Sequence, residues 1–313
     1  FGLTVLFISL FLHYHMGWNT TRSIFMASIL GCTSAAIVIP VTGVMSVKAE
    51  TKTILSLESA LSDVFAVVLA ISILQSVSLE NIGIKEPFRQ IASSFSVAIV
   101  VGVAAGFLWM KILDIFRGRK YSYMITLAAI LVLYSLVEFL GGSGFIAILI
   151  FGIILGNCHD FLHIMRMTCT TPLDDTIKFF HGEVTFFIRT FFFVYLGMIL
   201  SPDFINPGVL YVSVLLVAII FIARYIGVQA TGRITGKKTG DKDVIFFMIP
   251  RGLATAALAT FPVAENLKGY DHFTEYAFGV IIITNIIMTM GIYFTEKRIH
   301  KKNDFQNISD PET

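Results

Sequence analysis

The segment Glu58–Asp63, with the sequence ESALSD, places two carboxylates and two hydroxyls inside a long apolar run. In a helix, Ser59 lies on the same face as Asp63, four residues later, so a hydroxyl and a carboxylate point at one spot. Glu58 and Ser62 are also four residues apart and share an adjacent face. Glu58 and Asp63 are five apart and project in different directions, which indicates two separate roles for them.

The rest of the chain is too apolar for a soluble domain. Of its 313 residues, 56% are hydrophobic and only 14% are charged, and its mean hydropathy is +0.80. Apolar stretches of about 18 or more residues recur along its whole length, which is typical of an all-α polytopic membrane protein. Three scattered cysteines do not make a disulfide framework or a zinc site. His159 and His163 are four apart, but no third ligand is evident, so a metal site is not favoured.

The apolar runs predict about ten membrane spans in a transmembrane domain over residues 1–296, followed by a short cytoplasmic tail over 297–313. The spans are 1–15, 21–46, 53–77, 90–115, 121–140, 143–158, 183–200, 207–230, 243–262 and 273–295. Residues 159–182 are too polar to span and are expected to form a loop with an interfacial helix. Because the chain begins inside an apolar run and not with Met, we expect earlier spans to be missing.

Basic residues alternate between the two sets of loops, as the span order requires. Lys and Arg concentrate in one set and in the C-terminal tail, whereas the opposite loops carry only Arg22, Lys85, Arg89 and Lys268. Cytoplasmic loops are enriched in Lys and Arg. The C-terminus is therefore predicted to be cytoplasmic, in a multi-pass protein of the cell membrane.

Charges inside the spans need partners or a route to water. Asp63 is close to the middle of its span, where an ionised carboxylate costs about 3 kcal/mol or more in hydrocarbon. Arg251 is also near the middle of a span and is the available partner for Glu58. Lys111 and Arg224 are near span ends and are expected to reach the interface. A purely structural alternative remains, in which Glu58 and Arg251 form a packing pair and Asp63 is a satisfied core carboxylate.

Two spans contain residues that interrupt a helix. The second span reads LGCTSAAIVIP, and the ninth reads MIPRGLATAALATFP. Each is the middle span of a group of three, and interrupted helices at corresponding positions indicate a transporter with an inverted repeat. Unwound backbone frees carbonyls and helix ends at the midplane, where a cation can lose water. The alternative is that these residues only bend the helices to adjust packing.

Three stretches resemble the monovalent cation/proton antiporters, in the branch of sodium/proton exchangers and archaeal NhaP-type proteins. ESALSD resembles the family's ESLLND, PRGLATAALA (250–259) resembles its arginine-glycine crossing helix, and FFFVYLGMIL (191–200) resembles another of its spans. The resemblance implies an inverted-repeat fold of thirteen spans, of which this chain would hold the last ten.

The resemblance also implies roles for individual residues. Asp63 matches the aspartate that binds the cation and exchanges the proton, and Glu58 and Arg251 match a stabilising ion pair. Ser59 and Thr33 match positions that help to coordinate the ion.

This chain departs from the family at two positions of the site. The family's TDP is Thr33-Ser34-Ala35 here, so the second carboxylate is replaced by Ser34. The asparagine before the aspartate is Ser62. Only one titratable carboxylate is therefore left at the expected site. Ser34 and Ser62 are still expected to bind the cation, together with Asp63, Ser59 and Thr33, because a serine hydroxyl can donate or accept a hydrogen bond.

The resulting hypothesis is an electroneutral antiporter in the lipid bilayer that exchanges Na⁺, with K⁺ or Li⁺ as alternatives, for H⁺, as a homodimer. Its movement would come from a rocking core made of the second, third, ninth and tenth spans. We find no nucleotide motif, catalytic triad or nucleic-acid surface, so neither an enzyme nor a cofactor is expected. The rivals are a channel-like K⁺ efflux protein, a non-transporting sensor and an intramembrane aspartyl protease, which would need a second central aspartate.

Overall fold

The computed structural model describes residues 1–78, 85–115, 122–157, 175–199, 206–234, 241–264, 267, 269–270 and 272–309. Over these residues the protein is helical, without strands. Its helices are α1 (Gly2–Tyr14), α2 (Thr20–Gly31), α3 (Ala35–Val44), α4 (Ala49–Ser78), α5 (Lys85–Ile115), α6 (Ser122–Phe139), α7 (Gly144–Gly156), α8 (Asp175–Ile199), α9 (Pro207–Ile234), α10 (Lys242–Phe247), α11 (Leu253–Ala264) and α12 (Phe273–Ser309).

Six helical segments in the described part are long and apolar enough to cross a membrane, so the chain is a multi-pass membrane protein. They are Thr20–Val44, which joins α2 and α3, Ala49–Leu74, Ala92–Leu113, Ser122–Phe139, Pro207–Gly232 and Phe273–Arg298. The predicted first, sixth and ninth spans correspond to shorter apolar helices, namely α1, α7 and the pair α10–α11. That these helices and α8 also cross the bilayer stays a prediction.

Two boundaries differ from the sequence-based expectation. Helix α8 begins at Asp175, so the residues before 183 that the structure describes continue the seventh span. Helix α12 extends to Ser309 without a break at residue 296, so the predicted start of the tail falls inside one helix. The expected interfacial helix before residue 175, with His159 and His163, lies outside the described residues.

The chain divides into two units. The first contains Phe1–Leu74 and Phe193–Thr313, and the second contains Gln75–Phe192. In the second unit α5 packs on α7. A Cβ at Gly102 would lie 2.8 Å from the carbonyl oxygen of Ala147, so this close approach of the two helices requires glycine.

All the predicted site residues belong to the first unit. Its core is formed by α1 on α2, α9 on α12, and α11 on both α12 and α2. A second apolar cluster joins α3, α4, α10 and α12 through Val38, Leu55, Val244 and Met288. These contacts place both interrupted spans against α12.

The second span is interrupted between α2 and α3. Cys32 and Ser34 have extended backbones, with ψ of 153° and 109°. Short polar side chains such as these compete with the helix for backbone hydrogen bonds. Pro40, inside α3, removes a further amide from the helix. The predicted interruption is therefore present at Cys32–Ser34.

The ninth span is interrupted between α10 and α11. Helix α10 ends at Phe247 and α11 begins at Leu253. Pro250 cannot continue a helix and restricts the residue before it to extended backbone. Residues 248–252 therefore separate two short helices instead of continuing one, as the sequence predicts.

Candidate functional site

The two helix interruptions contact each other directly. The Ser34 N–H donates to the carbonyl oxygen of Pro250 at 2.9 Å. The hydroxyl of Thr255, in α11, donates at 3.0 Å to the carbonyl oxygen of Ile29 near the end of α2. A Cβ at position 252 would collide with the Ser34 side chain, so Gly252 allows this contact. The two interruptions therefore form one junction of exposed helix ends.

Asp63 lies at this junction, at the N-terminal end of α3. Its Oδ2 accepts a hydrogen bond of 3.1 Å from the Ala35 N–H, the first amide of α3. The free amides at a helix N-terminus favour a negative charge. Its Oδ1 is buried and accepts no hydrogen bond within the described part of the chain. One carboxylate oxygen is thus fixed by the fold, and the other is available to a proton or a cation.

Ser62 and Thr33 form a hydrogen-bonded pair next to Asp63. The Ser62 hydroxyl donates to the Ser59 carbonyl at 3.0 Å. It accepts from the Thr33 N–H at 3.0 Å. The two hydroxyl oxygens are 3.1 Å apart in a hydrogen bond in which either group can be the donor. These contacts hold Thr33 against Ser62, the residue before Asp63.

Ser59 and Ser34 occupy different positions relative to this pair. The Ser59 hydroxyl is buried and donates to the Ser56 carbonyl at 3.0 Å, which leaves its lone pairs free. Ser34 is the residue before α3 and contributes its backbone amide to the contact with Pro250. The structure thus brings Asp63, Ser62 and Thr33 together, with Ser59 one turn away on the same helix.

Glu58 has a different partner from the one that the sequence predicts. It forms an ion pair with Arg224, through Oε1 and Nη1, and it has no direct ion pair with Arg251. Arg224 is therefore not a residue that reaches the interface, since its side chain is only 11% exposed. The reason lies in α10, whose C-terminal carbonyls draw the guanidinium inward.

Arg224 also binds the end of the half-helix α10. Its Nε donates to the Ile245 carbonyl at 3.0 Å, and its Nη2 to the Met248 carbonyl at 3.5 Å. The last carbonyls of a helix lack partners and carry partial negative charge, which a cation compensates. Asp63 at the start of α3 and Arg224 at the end of α10 thus each neutralise the end of a broken helix.

Arg251 lies in the second interruption and is only 2% exposed. Its Nε and Nη1 have no hydrogen-bond partner among the described residues. Its charged neighbours include Arg224, Glu58 and Asp63. A guanidinium keeps its charge in a protein. Arg251 therefore adds a fixed positive charge to the junction, and within the described ranges it forms no ion pair.

Sequence reasoning missed the role of Arg224 and did not single out Asn285. Arg224 is ten residues before the end of α9 at Ile234, a depth of about 15 Å along a helix. That depth was a signal that the side chain has an internal partner. Asn285 is an amide in the apolar run VIIITNIIM, where a polar side chain indicates a specific contact. Its Nδ2 donates to the Arg251 carbonyl at 2.9 Å.

We expect Glu58→Gln and Arg224→Met each to lower the stability of the protein by about 3 kcal/mol, because each leaves a charge without its partner. The double variant should recover part of this loss. The measurement is the melting temperature of the purified protein, combined in a double-mutant cycle.

Glu50→Gln, an exposed carboxylate in the first turn of the same helix, is the matched control and should change little. A second cycle pairs Glu58→Gln with Arg251→Met. A coupling in this second cycle that equals or exceeds the coupling with Arg224 would contradict the observed pairing.

The sequence matches known membrane transporters over most of its length. The K(+)/H(+) antiporter NhaP2 of Shewanella oneidensis is 24% identical over 280 residues, which cover 85% of this chain and 45% of that protein. Na(+)/H(+) antiporter 1 of Methanocaldococcus jannaschii is 28% identical over 281 residues, which cover 85% of this chain and 62% of that protein. The chain thus spans about half the length of the curated relatives that it matches.

The fold matches a solved antiporter. The sodium proton antiporter MjNhaP1 from Methanocaldococcus jannaschii, solved at pH 8, superposes with a TM-score of 0.72 at 22% identity, over 94% of this chain and 74% of the other. The family model described as sodium/hydrogen exchanger, transmembrane, matches residues 1–296. The chain therefore belongs to the sodium/hydrogen exchanger family and is similar to its NhaP-type members.

Proposed function

We propose that this chain forms the transport domain of an antiporter that exchanges Na⁺ for H⁺, with Asp63 binding the two in turn. The observation that carries the proposal is the state of the Asp63 carboxylate. One oxygen is held by the first amide of α3, and the other is buried, with no hydrogen bond that meets the distance and angle criteria among the described residues, although the Cys32 thiol is a neighbour of the carboxylate. Binding of either a proton or a cation stabilises a carboxylate in this position, because both neutralise a charge that is costly inside the membrane.

The coupling follows from competition for one negative charge. A protonated Asp63 is neutral and has lost its attraction for a cation, whereas an ionised Asp63 can replace part of the cation's hydration shell. Thr33 and Ser59 supply hydroxyl oxygens near it, and oxygen donors suit hard cations. Ser62 holds Thr33 in place through hydrogen bonds, and Ser62 and Ser34 are further candidate ligands of the cation.

The cation is proposed to be Na⁺, with K⁺ as the second candidate. Relatives of this chain are named as K(+)/H(+) and as Na(+)/H(+) antiporters, so the family contains both. A channel-like K⁺ efflux protein on the same scaffold would conduct without moving protons. Measuring the uptake of Na⁺, K⁺ and Li⁺ together with the proton flux separates an antiporter from a channel and identifies the cation.

We propose a cell-membrane protein with a cytoplasmic C-terminus, a transmembrane domain over residues 1–296 and a short tail over 297–313. A second copy of the chain is the expected partner, in a homodimer. The two broken spans would belong to an inverted repeat and would move together with α4 and α12 as the rocking core.

Asp63→Asn should abolish cation-dependent proton movement, because an amide can neither lose a proton nor attract a cation as a carboxylate does. The measurement is the internal pH of proteoliposomes, read with a dye after addition of Na⁺ or K⁺. Glu50→Gln is the control and should transport normally. Proton-coupled cation transport by a well-folded Asp63→Asn variant would sink the assignment.

Exchange should be electroneutral, with one cation for one proton, because the site offers one exchangeable charge. Glu58 is paired with Arg224, and a guanidinium such as that of Arg251 keeps its charge in a protein. Ser34 and Ser62 occupy the positions at which the family motifs have an aspartate and an asparagine. Hydroxyls do not titrate near neutral pH. An imposed membrane potential should therefore not drive turnover, whereas a pH gradient should.

The test uses proteoliposomes with equal Na⁺ and K⁺ on both sides. A chloride gradient and a chloride-selective ionophore set the potential, so that no candidate substrate carries it. The predicted result is no change in internal pH when the potential is imposed. Proton movement that follows the sign of the potential would refute the one-for-one exchange and would indicate a second titrating group.

A further inference from the structure

Two opposite charges at the junction of the helix interruptions are close but not paired. Arg251 and Asp63 interact electrostatically, yet they form no direct ion pair. Oδ1 of Asp63 and both Nε and Nη1 of Arg251 are buried and have no hydrogen-bond partner in the described ranges. Attraction between charges is strong in a dry interior, and each unsatisfied group is costly. A structural constraint must therefore keep the two side chains apart.

The backbone around Arg251 provides this constraint. On one side, the Pro250 carbonyl accepts from the Ser34 N–H at 2.9 Å. On the other side, the Arg251 carbonyl accepts from Nδ2 of Asn285 at 2.9 Å. Gly252 packs so closely on Ser34 that even a Cβ would not fit. The segment that carries the guanidinium is thus held at consecutive peptide groups.

Of these three contacts, the hydrogen bond from Asn285 is the one that comes from outside the two broken spans. It lies in α12, which is continuous over 37 residues from Phe273 to Ser309 and packs on both α10 and α11. The neighbouring Thr284 is fully buried but donates only to carbonyls of its own helix, at Val280 and Ile281. The hydrogen bond of Asn285 therefore links an unbroken helix to the backbone of Arg251.

We propose that Asn285 is a positioning residue that holds Arg251 away from Asp63, so that the carboxylate stays available to the transported cation. This inference rests on the proposed function of Asp63. Without the Asn285 amide, the backbone at Arg251 gains freedom, and the guanidinium can turn to the free oxygen of Asp63. Arg251 would then compete with the cation as an internal ligand.

This competition has a specific kinetic consequence. An internal competitor weakens cation binding but is displaced at high cation concentration, so KM rises while the maximal rate is largely kept. Loss of a hydrogen bond worth about 1 kcal/mol corresponds to about a fivefold rise in KM. Residues that only stabilise the fold would instead lower the amount of active protein and leave KM unchanged.

The experiment compares Asn285→Leu and Asn285→Ala with the unaltered protein in proteoliposomes, with Na⁺ as the cation. Both variants should raise KM about fivefold, although only leucine fills the space that the asparagine side chain occupied. Asn285→Gln retains an amide donor and should restore part of the affinity. Thr284→Val removes a buried hydroxyl from the adjacent position and is the matched control, which should keep the original KM.

A second measurement tests whether the effect passes through Arg251. The readout is the Na⁺ concentration that gives half of the cation-dependent rise in melting temperature, which does not need transport. In an Arg251→Gln background, which has no guanidinium to compete, Asn285→Leu should cause no further loss of affinity. An equal loss in both backgrounds would overturn the proposal.

The outcomes also separate this inference from the proposed function. If Asp63→Asn abolishes exchange but the Asn285 variants keep their KM, the positioning role is wrong and the transport site stands. If the Asp63→Asn variant still exchanges cations for protons, both proposals fail together. A fivefold rise in KM that depends on Arg251 supports the positioning role.

Discussion

The hydrogen bond from the Ser34 N–H to the Pro250 carbonyl is the contact on which the rest of the site depends. Backbone polar groups within a bilayer must be satisfied inside the protein, so a broken helix is stable there only when something replaces its lost hydrogen bonds. Here each interruption supplies part of what the other lacks. The Thr255 hydroxyl extends the same arrangement to the end of α2. Two breaks that would each be costly alone thus form one stable polar junction.

The charged side chains around the junction also compensate backbone groups that the helix breaks leave without hydrogen bonds. The start of α3 is satisfied by Asp63, and the end of α10 is satisfied by Arg224. Glu58 then balances Arg224, which leaves Asp63 as the carboxylate of the junction without a directly paired cation. In the proposed mechanism, Asp63 is available to a transported ion because the other charges of the junction are paired or compensate helix ends. Arg251 adds positive charge nearby, but among the described residues it forms no hydrogen bond with Oδ1 of Asp63.

Much of this site could be predicted from the sequence, because its signals are local. A carboxylate in an apolar run, a hydroxyl four residues before it, and proline or glycine in the middle of a span all identify Asp63 and the two interruptions. The pairing of Glu58 could not be predicted in this way. Arg224 and Arg251 are both intramembrane cations, and the choice between them depends on which helices meet α4. The contact of Asn285 is non-local too, since it joins residues 34 positions apart in the chain.

Competition between a proton and a cation at Asp63 is measured most directly by the protons released when Na⁺ binds to the purified protein. The protein is held in weakly buffered detergent solution over a series of pH values, and both the bound Na⁺ and the released protons are counted. Linkage requires the release to approach about one proton per cation as the pH falls and Asp63 becomes protonated. The Asp63→Asn protein should release none. Cation binding without proton release at every pH, or an unchanged release from the Asp63→Asn protein, would contradict the mechanism.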